Sequence, residues 1–141
     1  ELTTEGGLDL RKHYSAVNKV VERLKEKDIK VSLFIDPVKC QVDLAAKIGV
    51  DTVEFNTGGF SESKTKTKRL KILDKLAKVC GYARRKGFSV AAGHGLDYIN
   101  VKDILSIKDI EELNIGPSII SRSLFLGVVS AVEEMLALMK K

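Results

Sequence analysis

Residues 51–58 read DTVEFNTG, a short β-rich run in which Val53 and Phe55 alternate with Glu54 and Asn56. A period of two puts the apolar pair on one face of a strand and the polar pair on the other. The pattern recurs in KVSLFID (30–36), where Ser32 and Asp36 flank Leu33 and Ile35, and in IEELNIG (110–116), where Asn114 separates Leu113 from Ile115. A fourth run, FSVAAGHG (88–95), is apolar and small before it turns polar. The expected strands are therefore 30–36, 51–57, 88–93 and 112–116.

Helical periodicity fills the intervals. Tyr14, Val17, Val20, Val21 and Leu24 recur at helical spacing within 11–27. VKCQVDLAAKIG (38–49) is a second helix, and 68–87 is a third with Leu70, Ile72 or Leu73, Leu76 and Val79 on one face. A shorter helix lies around 101–107, a closing helix covers 123–141, and GFSESKTKT (59–67) is a polar loop. Strands that alternate with helices imply an α/β fold with a parallel sheet, because parallel neighbours need crossover connections. In a doubly wound sheet the strands are apolar on both faces. Here the alternate polar residues face an interior instead, as in the upper layers of a (β/α)8 barrel of TIM type. Four units are half of such a barrel. With a start at Glu1 rather than Met, the expectation is that residues 1–141 are the C-terminal half of a single barrel domain.

The composition, 141 residues with 44% hydrophobic and 30% charged, is that of an ordinary globular domain. No apolar run is long enough to span a membrane, and no secretory leader is visible. Cys40 and Cys80 lie far apart in helical segments, which suits a reducing cytoplasm and argues against a disulfide framework or a CxxC metal site. The formal charge of +5 is densest in SKTKTKRLK (63–71). That cluster has no interleaved aromatic residue, so it reads as a solvated loop entering a helix rather than a nucleic-acid surface.

Ligands on parallel α/β folds bind at the C-terminal strand ends. These ends hold Asp36 with Pro37, the segment from Asn56 to Gly59, His94 between Gly93 and Gly95, and the segment from Asn114 to Ser118. His94 is either a proton carrier near neutral pH or a histidine satisfied by a backbone partner. Glu54, pointing inward, is either ion-paired in the scaffold or kept for chemistry. At Gly116, Pro117 and Ser118 a strand passes into a helix start whose N–H groups can cradle phosphate, although the same residues also serve as a simple cap.

Taken together, ELTTEGGLD, KVSLFID, VEFNTG, AGHGLDYINV and ELNIGPSIISRSLF resemble the pyridoxine phosphate synthase family of the vitamin B6 pathway, in order and over nearly the whole chain. The resemblance implies a β/α barrel of which this chain holds about the last four units. It implies condensation of 3-amino-2-oxopropyl phosphate with 1-deoxy-D-xylulose 5-phosphate to pyridoxine 5′-phosphate, phosphate and water, with no metal and no organic cofactor. By the same resemblance His94 is the proton donor, Glu54 stabilises a transition state, Gly95 and Gly116 contact the aminoketone phosphate, and Thr3 contacts the deoxyxylulose phosphate. Two positions depart from the family. Asn56 stands where the family has the histidine of a His-Thr-Gly motif, and Pro117 stands where it has a histidine after glycine. Pro117 offers neither an N–H nor an imidazole, which shifts the phosphate cradle to the N–H groups of Ser118 and Ile119.

The family's proton acceptors come from earlier strands, so the isolated chain is expected to be inactive. His13 falls at the start of the first helix and reads as a surface or capping residue. The resemblance further implies a cytoplasmic homo-oligomer whose partners are small phosphorylated molecules, not nucleic acid or membrane. Two rival functions remain: another phosphosugar enzyme of aldolase or isomerase type, although no strand core carries the lysine a Schiff-base aldolase needs, and a basic RNA-binding module.

Overall fold

The computed structural model describes residues 6–140. Its elements are α1 (Leu10–Lys25), β1 (Ser32–Ile35), α2 (Lys39–Ile48), β2 (Thr52–Asn56), α3 (Gly58–Ser61), α4 (Lys66–Arg85), β3 (Ser89–Gly93), α5 (Val101–Ile104), β4 (Glu112–Asn114), α6 (Pro117–Leu126) and α7 (Val128–Met139). The strands form one sheet in the order β1-β2-β3-β4, and every neighbouring pair is parallel. Spatial order follows chain order with a helical crossover each time. That is the progression of a barrel wall, whereas a doubly wound sheet reverses its order at a switch point.

The helices begin and end where local chemistry tells them to. Asp9 caps α1 by accepting a hydrogen bond from the Arg11 N–H (3.1 Å), and Arg23 and Lys25 sit at the negative end of the helix dipole. α2 stops at Gly49, whose φ of 81° suits glycine. Thr65 caps α4.

Register sorts the strand residues into rows. Leu33, Val53 and Val90 make one apolar row, and Ile35, Phe55, Ala92 and Leu113 make the next. Ile35, Val53, Phe55 and Val90 are fully buried in one core with Val42, Ala45, Leu76, Cys80 and Ala83 of the helices, and Ala92 is fully buried as well. Each large side chain buried in this way contributes about 1.5–3 kcal/mol. The other face carries Ser32, Thr52 and Ser89, then Phe34, Glu54, Ala91 and Glu112, then Asn56, Gly93 and Asn114. The alternation expected from the sequence is thus the alternation of the sheet.

Two helical expectations need correction. The supposed polar loop at 59–67 overlaps the short helix α3, which buries Phe60, and its last two residues, Lys66 and Thr67, already belong to α4. The supposed single closing helix is broken at Gly127, where φ 79° and ψ 155° are accessible essentially to glycine alone. α7 then folds back on α6, with Arg122 of α6 gripping Glu134 of α7 through two hydrogen bonds (2.8 and 3.2 Å). Cys40 is exposed, Cys80 is buried, and both are free; burial pushes the Cys80 thiol up to about 12. No described helix is long and apolar enough to cross a membrane.

Candidate active site

The ends of β2 and β3 are clasped together by Thr57. Its N–H donates to the Gly93 carbonyl (2.8 Å), and its hydroxyl lies 2.7 Å from that carbonyl and 2.6 Å from the carbonyl of His94. Thr57 is 1% exposed, so this clasp is made out of water. It holds His94 at φ 79°, a conformation that costs a residue with a Cβ about 1–3 kcal/mol and persists only where its surroundings enforce it.

The glycines around His94 now have specific reasons. A Cβ at Gly93 would lie 2.2 Å from Glu54 Oε1, so glycine there gives the Glu54 carboxylate its place on the polar face. A Cβ at Gly95, whose φ is 72°, would lie 2.1 Å from Ser61 Oγ. The imidazole of His94 rests against Gly58, where a Cβ would come within 2.8 Å of Cδ2, and faces the tilted ring of Phe34 with centroids 6.4 Å apart. The loop after His94 is pinned by buried Asn100, which accepts from the Asp97 N–H and donates to the Gly95 carbonyl (both 3.0 Å).

Glu54 is brought to the same strand ends, its carboxylate lying over the residue that precedes His94. Burial raises its pKa, a hydrogen bond from Asn114 lowers it, and the charge of Glu112 raises it further, with the net shift upward. Among the described residues no cation acts on the Glu54 carboxylate.

At the end of β1, Asp36 Oδ1 accepts from the Gly7 N–H and from Asn56 Nδ2 (both 3.0 Å), and Asn56 Oδ1 accepts from the Gly58 N–H (2.9 Å). Asn56 thereby links the β1 end to the glycine on which the His94 ring rests. The sequence places Asn56 and Thr57 in the strand-end segment without assigning the Thr57 hydroxyl a role, and it does not single out Ser61 or Asn100. A buried small polar residue just past a strand end was the available signal.

After β4, Gly116 caps α6 and Pro117 occupies its first turn. The Ile120 N–H bonds to the Gly116 carbonyl (3.0 Å), so the N–H groups of Ser118 and Ile119 lack intrahelical partners. Ser118 Oγ donates to the Leu96 carbonyl (2.9 Å), which ties this helix start to the loop after His94. A Cβ at Gly116 would meet nothing within 4 Å, so packing leaves its surroundings open. Thr3 lies outside the described residues. His13 is exposed on α1. Among the described residues no group of three His, Cys, Asp or Glu side chains is placed to hold a metal ion.

Curated relatives share this sequence closely. The pyridoxine 5′-phosphate synthase of Blochmanniella floridana is 45% identical over 141 residues, covering 100% of this chain and 57% of the relative. That of Citrifermentans bemidjiense is 46% identical over 141 residues, covering 99% and 59%. That of a Sulfurihydrogenibium strain is 44% identical over 135 residues, covering 96% and 55%. The chain thus spans somewhat more than half the length of these relatives. The family model described as "Pyridoxal phosphate biosynthesis protein PdxJ" matches residues 1–141, and the chain belongs to that family of β/α barrels, supplying about the last four of its units.

Proposed function

We propose that this chain carries the proton donor, the stabilising carboxylate and part of the phosphate-binding backbone of a pyridoxine 5′-phosphate synthase. The reaction is the condensation of 3-amino-2-oxopropyl phosphate with 1-deoxy-D-xylulose 5-phosphate to pyridoxine 5′-phosphate, phosphate and water. The observation that carries this reading is the Glu54 carboxylate lying over Gly93, the residue that precedes a His94 held at positive φ. Family membership and the names of the relatives support the substrate class.

Carbinolamine, imine and enamine steps create cationic nitrogen and expel hydroxyl groups. A carboxylate fixed in a partly desolvated place stabilises the cation more than water does, because its orientation is set before charge develops. His94 protonates a departing hydroxyl, a task that suits imidazole near neutral pH. Thr57 and Gly58 set the ring's position and Asn56 sets that of Gly58, so these three are positioning residues. The open N–H groups of Ser118 and Ile119, with Gly95 and Gly116 alongside, receive the aminoketone phosphate; Pro117 contributes a preformed helix start and no donor. Thr3 takes the deoxyxylulose phosphate. Residues 1–141 act as the C-terminal half of one barrel domain in a cytoplasmic homo-oligomer, and the remaining units supply the proton acceptors.

The test joins residues 1–141 to the segment of the Citrifermentans relative that this chain does not cover and measures pyridoxine 5′-phosphate formation. His94→Ala and Glu54→Gln are each expected to lower kcat by about 10²–10⁴-fold while the circular dichroism spectrum is kept. Full turnover by either variant would remove that residue from the mechanism.

A further inference from the structure

The start of α4 is built against ordinary helix electrostatics. Its first turn contains no acidic residue, and Lys64, Lys66, Lys68 and Arg69 crowd the end where the helix dipole is already positive. Thr65 Oγ1 accepts from the Lys68 N–H (3.3 Å), which leaves the N–H groups of Lys66 and Thr67 without helical partners. Beside them is a cleft of about 410 Å³ whose wall includes Ser63, Lys64, Thr65, Lys66 and Arg69, with Asp103 opposite.

Two buried donors in this cleft have nothing to bond to. Ser63 is 9% exposed and its hydroxyl has no partner, and the Nε of Arg69 is equally unsatisfied. Buried polar groups are normally paired, so an unpaired pair of donors on one cleft wall is a specific signal. The Arg69 guanidinium is held ready: its Cζ lies 5.2 Å from the centroid of the Phe60 ring, and its Nη1 reaches Asp103 at 3.8 Å.

We propose that this cleft is a second anion site, for a phosphate group, distinct from the helix start at Gly116. A tetrahedral oxyanion accepts from Ser63 Oγ, Arg69 Nε and the N–H of Lys66, and it neutralises the excess of three wall cations over one carboxylate. A planar carboxylate has too few oxygens for donors arriving from a loop, a side chain and a helix end. The cleft is larger than the anion alone and has room for the organic part of a phosphate monoester. The inference does not depend on the proposed reaction.

The experiment titrates the 141-residue chain with inorganic phosphate and, separately, glycerol 3-phosphate, following the amide resonances of 63–69 at constant ionic strength set with chloride. Saturable shifts confined to that segment are expected. Ser63→Ala and Arg69→Met should each weaken binding by roughly tenfold or more, and Asp103→Asn should strengthen it. Equal affinity for the two probes identifies free phosphate as sufficient, and tighter binding of the ester shows that the rest of the cleft is used; both outcomes sustain the site. Shifts reproduced by chloride alone, or an affinity unchanged in Ser63→Ala, would overturn it, and Ser63→Ala removes only one oxygen and so keeps the test open if Arg69→Met fails to fold.

Discussion

The two faces of β2 are separated by one residue and by almost everything else. Val53 and Phe55 are completely buried against the helices, whereas Glu54 and Asn56, on the same five-residue strand, stand half-exposed on the opposite face. β1 divides in the same way, with Leu33 and Ile35 buried and Phe34 partly exposed, whereas in β3 Ala91 and Gly93 are buried along with Val90 and Ala92. The apolar face is shaped by volume, since any helix-facing side chain of the right size contributes through burial. The polar face is shaped by reach, since a carboxylate, an amide and an absent Cβ must meet at set distances. Stability and the proposed chemistry therefore fall to alternate residues of one strand.

The largest expected effect tests that division directly. Phe55→Ala removes a fully buried ring from the central strand pair and is expected to cost about 3–5 kcal/mol of stability, measured by denaturant unfolding. Glu54→Gln, one residue away, should cost no stability while abolishing most turnover in the joined enzyme. Comparable destabilisation by the two would erase the distinction between the faces.

Gly93→Ala sharpens it. The added methyl would lie 2.2 Å from Glu54 Oε1 and 3.2 Å from both the Cβ and the carbonyl oxygen of Asn114. The carboxylate end can swing away, but the Asn114 backbone is held in the β3–β4 pairing. About 1–3 kcal/mol of destabilisation is expected, with displacement of the Glu54 carboxylate visible as a changed NMR titration of that side chain. A variant as stable as the parent with an unaltered titration would show that the glycine is not there for Glu54.

Asn56→Ala comes next. It removes the hydrogen bonds to Asp36 and from Gly58, each worth about 0.5–1.5 kcal/mol. Because Gly58 supports the His94 ring, the loss in kcat should exceed what that destabilisation alone predicts. A proportionate loss would make Asn56 a purely structural bridge.

Much of this was legible in the sequence, and the reason is periodicity. Alternation in DTVEFNTG and KVSLFID names the face of each residue before any register is known, and strand–helix alternation dictates parallel pairing. His94 was visible as a polar residue at an apolar strand end, and Glu54 as an inward carboxylate within a strand. The break at Gly127 was not, because glycine is tolerated within helical patterns and only the φ of 79° reveals its use. Nor was α3, a four-residue helix too short to show a period. Thr57 escaped for a different reason: its value lies in two carbonyls 36 and 37 residues away, and no local pattern encodes a contact that distant. The basic run at 63–71 read as a solvated surface, and Lys64, Lys66 and Lys68 are indeed exposed, but Arg69 is drawn in over Phe60.

The smallest effect expected is a matter of sign. Glu54 on the polar face has its pKa raised above the ordinary 4.5, mainly by burial, whereas Asp51, just before β2, has its pKa lowered from 3.8, mainly by the hydrogen bond from the Val31 N–H (2.9 Å). For Glu54 the folded state binds more protons than the unfolded state between 4.5 and its raised value, so stability falls as pH rises through that window and is level above it. For Asp51 the unfolded state binds more protons, so its contribution is fully present above 3.8 and is lost as pH falls through the lowered value. The two windows lie on opposite sides of the ordinary carboxylate range and are separable in one set of unfolding measurements. Glu54→Gln should remove Glu54's part of the decline above pH 4.5 and leave the acid loss intact; Asp51→Asn should remove only Asp51's share of the acid loss, because Asp9, Asp43 and Glu134 are lowered as well. The difference between parent and Glu54→Gln isolates the one carboxylate, whatever the others contribute. If that difference were flat with pH, Glu54 would be as well solvated folded as unfolded, and the polar face would lack the desolvation on which its proposed use of charge depends.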